Sequence, residues 1–541
     1  MNVAVIRRFM LGALLLVANH ATAQQNPVLR AAADAIVASD LMRDATWLSS
    51  DALRGRATPS PGLDSAAAYI SRELGRLGFK PGGDNGTYLR HYTLRRETLD
   101  GANTRARIGN TALALGRDFT VTSFHKASTF DAPVVYIGTG LHAPKLGLDA
   151  YANVDVRGKW VLVHAGNPLP ANVTREQIGL LYEGHTTFTQ EARARGAIGV
   201  LLVPTSQALN AWGTTPARAP TVRDIEPTAG LAYAPLPLPQ ITLSRMALET
   251  LLTGENVSAA ALLAAEASKR YPASFALRER FRADIASTGD VVRPFNLVAV
   301  LEGSDPALRR EVISVASHLD GAVGGRVDGA DSIFNAADDN ASGSAGNLAI
   351  ARALTKAPRA RRTVMLIWDT GEETGLWGSR ALAYSSLADS IVAHFNMDMI
   401  GRSNPLGNDA VGENAFSGPD EIHVTGPRVL STHMDSIVAR VDRDYRFIRF
   451  DRQMDFMGGN FFYPRSDAAP YGEVGIPFIE FVTGIHDDYH RPSDEVARLD
   501  PRKMEAVSRA AFVTLWLLAN DPVTPRIDKP LPATLPFRKR M

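Results

Sequence analysis

Apolar and polar residues alternate with two different periods, and the dominant period changes twice along the chain. Up to residue 80 the apolar residues repeat at helical spacing, which predicts helices over Ala31–Leu41 and Leu63–Leu77. Between residues 105 and 270 short β-like runs are separated by Gly and Pro, with one helical stretch at Thr189–Arg195. The runs are Ala132–Gly138, Lys159–His164, Gly199–Val203 and Gln240–Leu243. This region is therefore expected to form a small β-rich domain.

From residue 290 onwards the pattern becomes strand, loop and helix in repetition. The predicted strands are Asn296–Leu301, Val312–Ala316, Thr363–Trp368, Ile391–Asn396 and Pro477–Val482. The predicted helices are Ser342–Leu354, Trp377–Ser385, Gly426–Arg440 and Pro501–Leu518. Such alternation is typical of an α/β fold in which helices cover both faces of a sheet. The proline-rich C-terminal segment is expected to run over the surface as an extended strap.

Composition excludes several classes of function. The 541 residues are enough for roughly two to four domains. Lys and Arg number 58 against 57 Asp and Glu, so the chain has no global field that would attract nucleic acid or anionic lipid. The absence of cysteine excludes disulfides, thiolate metal sites and cysteine nucleophiles. Any bound metal must therefore be held by His, Asp and Glu.

The N-terminus has the three parts of a signal peptide in their usual order. Arg7 and Arg8 supply the positive region, Phe9–Ala18 the apolar region, and Ala21-Thr22-Ala23 the cleavage site. The apolar region is too short to span a bilayer, which needs about 20 residues. No later segment has the apolar length of a membrane helix. We therefore expect cleavage after Ala23 and a secreted protein, periplasmic where the source has an outer membrane.

Polar residues that can bind metals cluster in short segments of the α/β region. Four segments directly follow predicted strands, and the fifth opens a helix. They are Ser317-His318-Leu319-Asp320, Asp369-Thr370-Gly371-Glu372-Glu373, Asn396-Met397-Asp398, Gly484–His490 and Ala337–Gly343. In open α/β sheets ligands bind beyond the carboxyl ends of strands, and nitrogen and oxygen donors favour zinc or another first-row divalent ion.

Each segment by itself has a simpler interpretation. Asp339-Asn340 is also a suitable helix N-cap, and Glu372-Glu373 is also a suitable solvated turn. A single His after a strand is more often a hydrogen-bonded or surface residue than a ligand. The joint occurrence of the five segments favours a metal site.

Together the five segments resemble the co-catalytic dizinc aminopeptidases, secreted exopeptidases related to glutamate carboxypeptidases. The resemblance extends to Trp47-Leu48-x-x-Asp51-x-Leu53-x-Gly55-Arg56 near the N-terminus. Residues 131–203 are similar to the protease-associated domain, notably at Val154–Lys159. The resemblance implies a mixed, mostly parallel sheet flanked by helices, of the phosphorylase/hydrolase-like type. It divides the chain into a signal peptide (1–23), the first part of the peptidase domain (24–105), an inserted protease-associated domain (106–275), the catalytic domain (276–525) and a tail (526–541).

The resemblance also implies a role for each motif residue. One zinc is expected on His318 and Asp398, the other on Glu373 and His490, and both on a bridging Asp339. Glu372 would be the general base of a metal-bridging hydroxide, and Asp320 would lie behind the metals and hold their geometry. The expected substrates are peptides with a free N-terminus, and the resemblance leaves the oligomeric state open.

The chain departs from the family pattern beside two of these motifs. Relatives usually have Asn-Gly-Ala where this chain has Asn335-Ala336-Ala337, so one methyl group is added in the loop before Asp339. Ala468 follows Ser466-Asp467 where many relatives have a histidine or an aromatic residue. The region of the second change is expected to lie near the substrate. Neither change removes a predicted ligand or the predicted base.

Three alternatives remain open at this stage. His486, four residues before His490, is the second choice as a metal ligand. A carboxypeptidase for acidic dipeptides would need a guanidinium to bind the substrate carboxylate, and Arg402, Arg465 and Arg491 are the candidates. A binding protein that has kept the fold without catalysis is the third alternative, although such proteins normally lose ligands.

Overall fold

The structure is a computed structural model that describes residues 26–174, 177, 188–213, 221–225, 238–321, 329, 331–406, 415–455 and 465–530. The predicted signal peptide, residues 1–23, and the last part of the predicted tail lie outside the described residues. Within the described part of the chain, no helix combines the length and apolar character needed to cross a bilayer.

The strands fall into four sheets. In chain order they are β1 (Lys80–Pro81), β2 (Leu89–His91), β3 (Leu94–Leu99), β4 (Arg105–Ile108), β5 (Thr111–Leu113), β6 (Phe119–Ser123), β7 (Ser128–Tyr136), β8 (His142–Ala143), β9 (Leu148–Asp149), β10 (Trp160–His164), β11 (Gly199–Val203), β12 (Thr221–Ile225), β13 (Gln240–Leu243), β14 (Phe275–Ile285), β15 (Ser287–Val292), β16 (Phe295–Leu301), β17 (Val312–His318), β18 (Thr363–Asp369), β19 (Ile391–Asp398), β20 (Glu421–Thr425), β21 (Arg449–Asp451) and β22 (Phe478–Val482).

The α-helices among the described residues lie mostly in the first and last parts of the chain. In chain order they are α1 (Pro27–Asp34), α2 (Ala38–Leu48), α3 (Pro61–Leu77), α4 (Phe188–Ala194), α5 (Ser206–Asn210), α6 (Arg245–Leu251), α7 (Ala259–Ser268), α8 (Gly343–Lys356), α9 (Trp377–Ala383), α10 (Pro427–Leu430), α11 (Thr432–Tyr445), α12 (Ala469–Glu473) and α13 (Pro501–Asn520).

The largest sheet has nine strands in the order β1-β16-β18-β17-β19-β22-β20-β21, with β2 paired to β16. Its centre, β18-β17-β19-β22, is parallel, whereas β16 and β20 join that centre antiparallel. The predicted mixed, mostly parallel sheet is thus confirmed. Parallel strands align their carboxyl ends at one edge, and this edge receives the polar segments that follow β17, β18, β19 and β22.

Helices cover both faces of this sheet because neighbouring strand residues point to opposite sides. On one face Leu297 and Ile313 join a core formed with α1, α2, α3, α8, α11 and α13. On the other face Val298 and Ala316 pack with Leu382 of α9 and with α12. Strands β17, β18 and β22 are buried over their whole length, which explains why they appear in the sequence as mostly apolar runs.

The helix ends follow local sequence signals. Helix α3 begins with Pro61 in its first turn and with the Ser60 hydroxyl accepting the Leu63 N–H, and it ends at Gly78 with a φ of 77°. The Asp500 carboxylate accepts the backbone N–H groups of Arg502 and Lys503 at the start of α13. The long helices that flank the site are therefore delimited by their own sequences.

A second sheet of eight strands has the order β5-β4-β14-β7-β10-β11-β13-β6. Its core is separate and includes Trp160, Phe281 and Leu248. Strand β14 belongs to this sheet, which therefore extends past the predicted boundary at residue 275. Identification of this unit as a protease-associated domain stays a prediction.

Two predicted helices are wrong in their extent. The stretch Ala31–Leu41 contains the end of α1 and the start of α2, because Val37 is extended and the Ala38 N–H donates to the Glu505 carboxylate of α13 at 2.6 Å. The stretch Gly426–Arg440 contains α10 and most of α11, because Ser431 is extended and its hydroxyl caps α11. Helical periodicity continues across both breaks, so spacing alone does not reveal them.

Candidate metal centre

The carboxyl ends of the parallel strands bring most of the sequence-predicted site residues to one edge. His318 is the last residue of β17 and Asp398 the last residue of β19. Glu372 and Glu373 follow β18, and His490 lies in the loop that follows β22. Asp339 lies in a wide turn, residues 337–342, which leads into α8. Successive motifs are 21 to 92 positions apart in the sequence, and they meet because the strands that carry them are parallel neighbours.

Asp339 occupies the position between the two histidines. Its Oδ1 lies 3.1 Å from His318 Nε2, and its Oδ2 lies 3.2 Å from His490 Nε2. Asp398 Oδ1 is 3.2 Å from His318 Nε2, and Glu373 Oε2 is 3.0 Å from His490 Nε2. Two groups that share Asp339 result, each with its ligand atoms within 4.8 Å of one another, and a third group of the same kind joins His318 to Glu372 and Glu373.

Asp320 supports this arrangement from behind. It is 1% exposed, and its backbone carbonyl lies 3.0 Å from His318 Nδ1, so that nitrogen is assigned the proton and Nε2 keeps its lone pair for the site. The Asp320 carboxylate accepts the Glu372 N–H at 3.3 Å. Asp320 thus orients both a predicted ligand and the predicted base.

Burial and mutual charge shift the pKa values of these groups, because bringing them together has an electrostatic cost. Burial raises the pKa of Glu373 to about 7, and the Asp339 carboxylate adds to that shift. Burial lowers the pKa of His490, but the Asp339 and Glu373 carboxylates outweigh it and raise the pKa to about 10. Burial also raises the pKa of Glu372 well above its usual range, with Glu373 contributing. A cluster of this kind is stabilised by protons or by cations.

The donor set fits a pair of divalent cations. Glu373 Oε1 is buried without a hydrogen-bond partner in the described structure, although a carboxylate oxygen normally accepts one when buried. Imidazole nitrogens and carboxylate oxygens, with no thiolate in the chain, are donors that zinc accepts. The shared carboxylate provides one oxygen for each of two ions.

His486 lies outside both groups. Its Nε2 is 3.2 Å from Asp338 Oδ2, and both side chains are buried. Asp338 Oδ1 in turn accepts the Gly401 N–H at 2.6 Å. The pair therefore joins the loop after β22 to the turn that carries Asp339, which is a structural role.

Asp494 has a function that sequence analysis did not assign. Its carboxylate accepts the backbone N–H groups of Asp338, at 3.0 and 3.1 Å, and of Asp339, at 3.0 Å. Burial raises the pKa of Asp494 to about 7, with Asp338 adding to the shift. The residue holds the backbone of the turn beside the predicted bridging ligand.

A cavity of about 430 Å³ opens directly onto the site. Its walls contain Glu372, apolar side chains such as Leu376 and Ile485, and the guanidinium-bearing residues Arg380 and Arg465. The sequence pattern singled out Arg465 but gave no signal for Arg380, which projects from one turn of α9. The Arg465 guanidinium donates to the Tyr489 hydroxyl at 3.0 Å.

The other residues proposed for substrate binding lie elsewhere. Arg402 is paired with Asp488 at 2.7 Å, and neither Arg402 nor Arg491 lines the cavity. The region around Ala468 lies beside the cavity, although Ala468 itself is fully buried against Leu430 and Phe478. Its neighbours Ser466 and Pro470 line the cavity instead.

Residues 296–515 match the model of peptidase family M28. Among solved structures, the chain is similar to an aminopeptidase from Aneurinibacillus sp. strain AM-1, with 16% identity, 94% of this chain and 99% of that chain covered, and a TM-score of 0.47. It is also similar to BSAP, a zinc aminopeptidase from Bacillus subtilis, with 15% identity, 89% and 94% coverage and a TM-score of 0.43. A peptidase M28 precursor from Shewanella amazonensis SB2B has 15% identity, 93% and 98% coverage and a TM-score of 0.42.

The family match covers every residue of the two ligand groups, from His318 to His490. By this match, residues 296–515 belong to peptidase family M28.

Proposed function

We propose that this peptidase is a secreted aminopeptidase that uses two zinc ions to remove N-terminal residues from peptides. The observation that carries the proposal is the position of Asp339, whose two carboxylate oxygens face two different histidines at 3.1 and 3.2 Å. One ion would be held by His318, Asp398 and Asp339, and the other by Glu373, His490 and Asp339. The predicted signal peptide supports export.

Two zinc ions would supply Lewis acidity, polarising the substrate carbonyl and lowering the pKa of water towards about 7. The chain's own residues supply the rest. Glu372 lines the cavity, and its backbone is held by the Asp320 carboxylate at 3.3 Å. From there its carboxylate takes the proton of the attacking water and delivers it to the departing amine. Glu373 and Glu372 divide binding and proton transfer between two adjacent side chains.

The polarity of the cavity supports an aminopeptidase. Glu372 and Glu473, neither of which is assigned to a metal ion, line it and offer acceptors to a substrate ammonium group. Of the three guanidinium groups considered for a carboxypeptidase, only that of Arg465 lines the cavity, and it donates to Tyr489. Arg380 also lines the cavity, so two guanidinium groups face six carboxyl side chains in its walls. We infer that the N-terminal amine of the peptide lies beside the carboxylates.

We also propose that the eight-stranded sheet is the protease-associated domain and limits access to the cavity. Support comes from the chain segment that leads into this unit, because that segment packs beside the site. Tyr92 and Leu94 pack against Trp377 at the start of α9, and the Tyr92 hydroxyl donates to the Thr370 carbonyl at 2.9 Å. Thr370 is two residues before Glu372, so the segment that leads into the second unit is anchored close to the predicted base.

The test compares Glu372→Gln with its neighbour Glu373→Gln. Glu372→Gln should retain metal, measured by elemental analysis, while kcat on aminoacyl-p-nitroanilides falls by at least about 10²-fold. Glu373→Gln should lose metal, because it removes a charged ligand. An unchanged kcat in Glu372→Gln would exclude Glu372 as the base.

The substrate class is tested with the wild-type protein. Release of p-nitroaniline from aminoacyl substrates supports the proposal, whereas release only of C-terminal glutamate from dipeptides would indicate the carboxypeptidase. A metal-loaded protein that hydrolyses neither substrate across a broad panel would instead indicate a binding protein on this fold.

A further inference from the structure

Arg56 is a buried cation whose guanidinium donates to main-chain carbonyls of four described residues. The residue is 1% exposed. Its Nε donates to Leu319 O at 2.9 Å, its Nη1 to Asn335 O at 2.9 Å and also to Leu48 O, and its Nη2 to Ala336 O at 3.1 Å. These carbonyls come from α2, from the end of β17 and from the loop that leads to Asp339. Arg56 therefore joins the N-terminal motif to both sides of the candidate metal centre.

The loop residue held by Arg56 has an unfavourable backbone conformation. Ala336 has φ 51° and ψ 53°, in the left-handed region that non-glycine residues rarely adopt. It is 4% exposed, so its conformation is enclosed by neighbours. Arg56 donates to the carbonyl of Asn335, which precedes this residue, and to the carbonyl of Ala336 itself. A strained residue persists only where such contacts over-determine it.

The surrounding contacts leave the loop little room to shift. The Asn335 amide donates to Asp51 at 2.9 Å and to Glu495 at 2.8 Å. A Cβ added at Gly55 would lie 2.8 Å from the Phe334 carbonyl oxygen, so the motif and the loop are in direct contact. The loop reaches Asp339 three residues after Ala336. A change of the Ala336 backbone would therefore displace the carboxylate that faces both histidines.

We propose that Arg56 is a positioning residue that keeps Ala336 in the left-handed conformation and thereby places Asp339 between the two metal ions. The inference rests on the proposed dizinc site. It assigns a role to the N-terminal motif around Leu53, Gly55 and Arg56. It also explains how this chain tolerates alanine where relatives usually have glycine, because glycine adopts the left-handed region without help.

Positioning and electrostatics predict opposite effects of removing Arg56. Its positive charge lies within range of Asp339 and Glu373, since both contribute to its pKa, which burial lowers to about 10. If charge alone mattered, Arg56→Met would bind divalent cations more tightly. If positioning matters, the same variant binds them more weakly, because Ala336 relaxes towards negative φ and Asp339 moves.

The experiment measures zinc affinity by competition with a fluorescent chelator in the full-length mature protein. Arg56→Met should weaken zinc binding about tenfold, since holding a non-glycine residue in the left-handed region costs roughly that factor in an equilibrium. Ala336→Gly alone should change affinity less than about threefold, because the clamp is intact. Arg56→Met with Ala336→Gly should recover most of the loss. A purely structural role for Arg56 would not produce this rescue.

Arg362→Met is the matched control. Arg362 is also fully buried and also donates to main-chain carbonyls, those of Leu518 and Asp521, at the opposite end of the sheet. The Arg362→Met variant should lower the thermal stability of the metal-free protein and leave zinc affinity unchanged. Where Arg56→Met gives no folded protein, Arg56→Lys with and without Ala336→Gly carries the same comparison, because one ammonium cannot span the separated carbonyls.

The outcomes separate the two proposals. The positioning role would be overturned if folded Arg56→Met bound zinc as tightly as the wild type or more tightly, or if Ala336→Gly did not rescue it. The dizinc site would stand in that case, because the wild-type protein would still bind two ions. A wild-type protein that binds no zinc would overturn the dizinc site itself.

Discussion

Glu480 provides a quantitative test of how burial affects carboxyl groups beside the site. The residue lies in β22, is 1% exposed, and accepts a hydrogen bond from the Thr425 hydroxyl at 3.0 Å. Burial raises the pKa of Glu480 from 4.5 to about 8, and the nearby Asp398 carboxylate adds to the shift. The carboxyl group of the metal-free protein is therefore mostly protonated at neutral pH. Glu480→Gln replaces it with a neutral group of nearly the same shape.

The sign and size of the effect follow from linkage. Between pH 4.5 and about pH 8 the folded state binds more protons at this site than the unfolded state, so stability falls as pH rises through that window. With these two pKa values the cost to the wild type is about 1 kcal/mol at pH 5 and about 4 kcal/mol at pH 8. Glu480→Gln removes the cost. Its advantage in free energy of unfolding should therefore grow by about 3 kcal/mol between pH 5 and pH 8.

The assay is urea unfolding of the chelator-treated wild type and variant at both pH values. Subtracting the two proteins at each pH removes the contribution of all other titrating groups that do not interact with Glu480. Glu302→Gln is a suitable control, because Glu302 is exposed and paired with Lys80, which lowers its pKa. A Glu480→Gln advantage that is the same at pH 5 and pH 8 would refute the reasoning.

Two further predictions concern the metal ligands and the second sheet. Zinc loading at about pH 7.5 should release at least one proton, because His490 has a pKa of about 10 without metal and must be neutral to coordinate. Calorimetry in buffers of different ionisation enthalpy measures the number of protons released. Zinc loading without proton release would contradict the prediction. Gly199→Ala should cost at least about 2 kcal/mol of stability in denaturant unfolding, because its Cβ would lie 2.2 Å from the buried Trp160 ring. Zinc affinity should stay unchanged, and a loss of affinity would contradict the separation of the two cores.

Much of the α/β fold could be predicted because its strands are marked by local patterns. Central strands buried on both faces are continuous apolar runs, and the predicted start of β17 and both ends of β11 agree with the structure. Strand β14 was missed, because its alternation of Arg and apolar residues is interrupted by an irregular register. The short edge strands β20 and β21 were also missed, since only pairing with neighbours identifies segments of that length.

The breaks between α1 and α2 and between α10 and α11 show where local pattern is insufficient. At the first break the Ala38 N–H is satisfied by Glu505, a residue 467 positions away. At the second, the Thr432 N–H is satisfied by the Asp528 carboxylate at 2.8 Å. No sequence window contains both partners of such contacts.

The sequence by itself determined which side chains are delivered to the carboxyl edge of the sheet, because strand length and the residues at strand ends are local properties. The tertiary structure alone decided how those side chains face one another. It set the two oxygens of Asp339 towards different histidines, paired His486 with Asp338, and placed the Arg56 guanidinium against the loop at Ala336. Each of these relations joins segments that are far apart in the chain, and their distances depend on the packing of the whole domain.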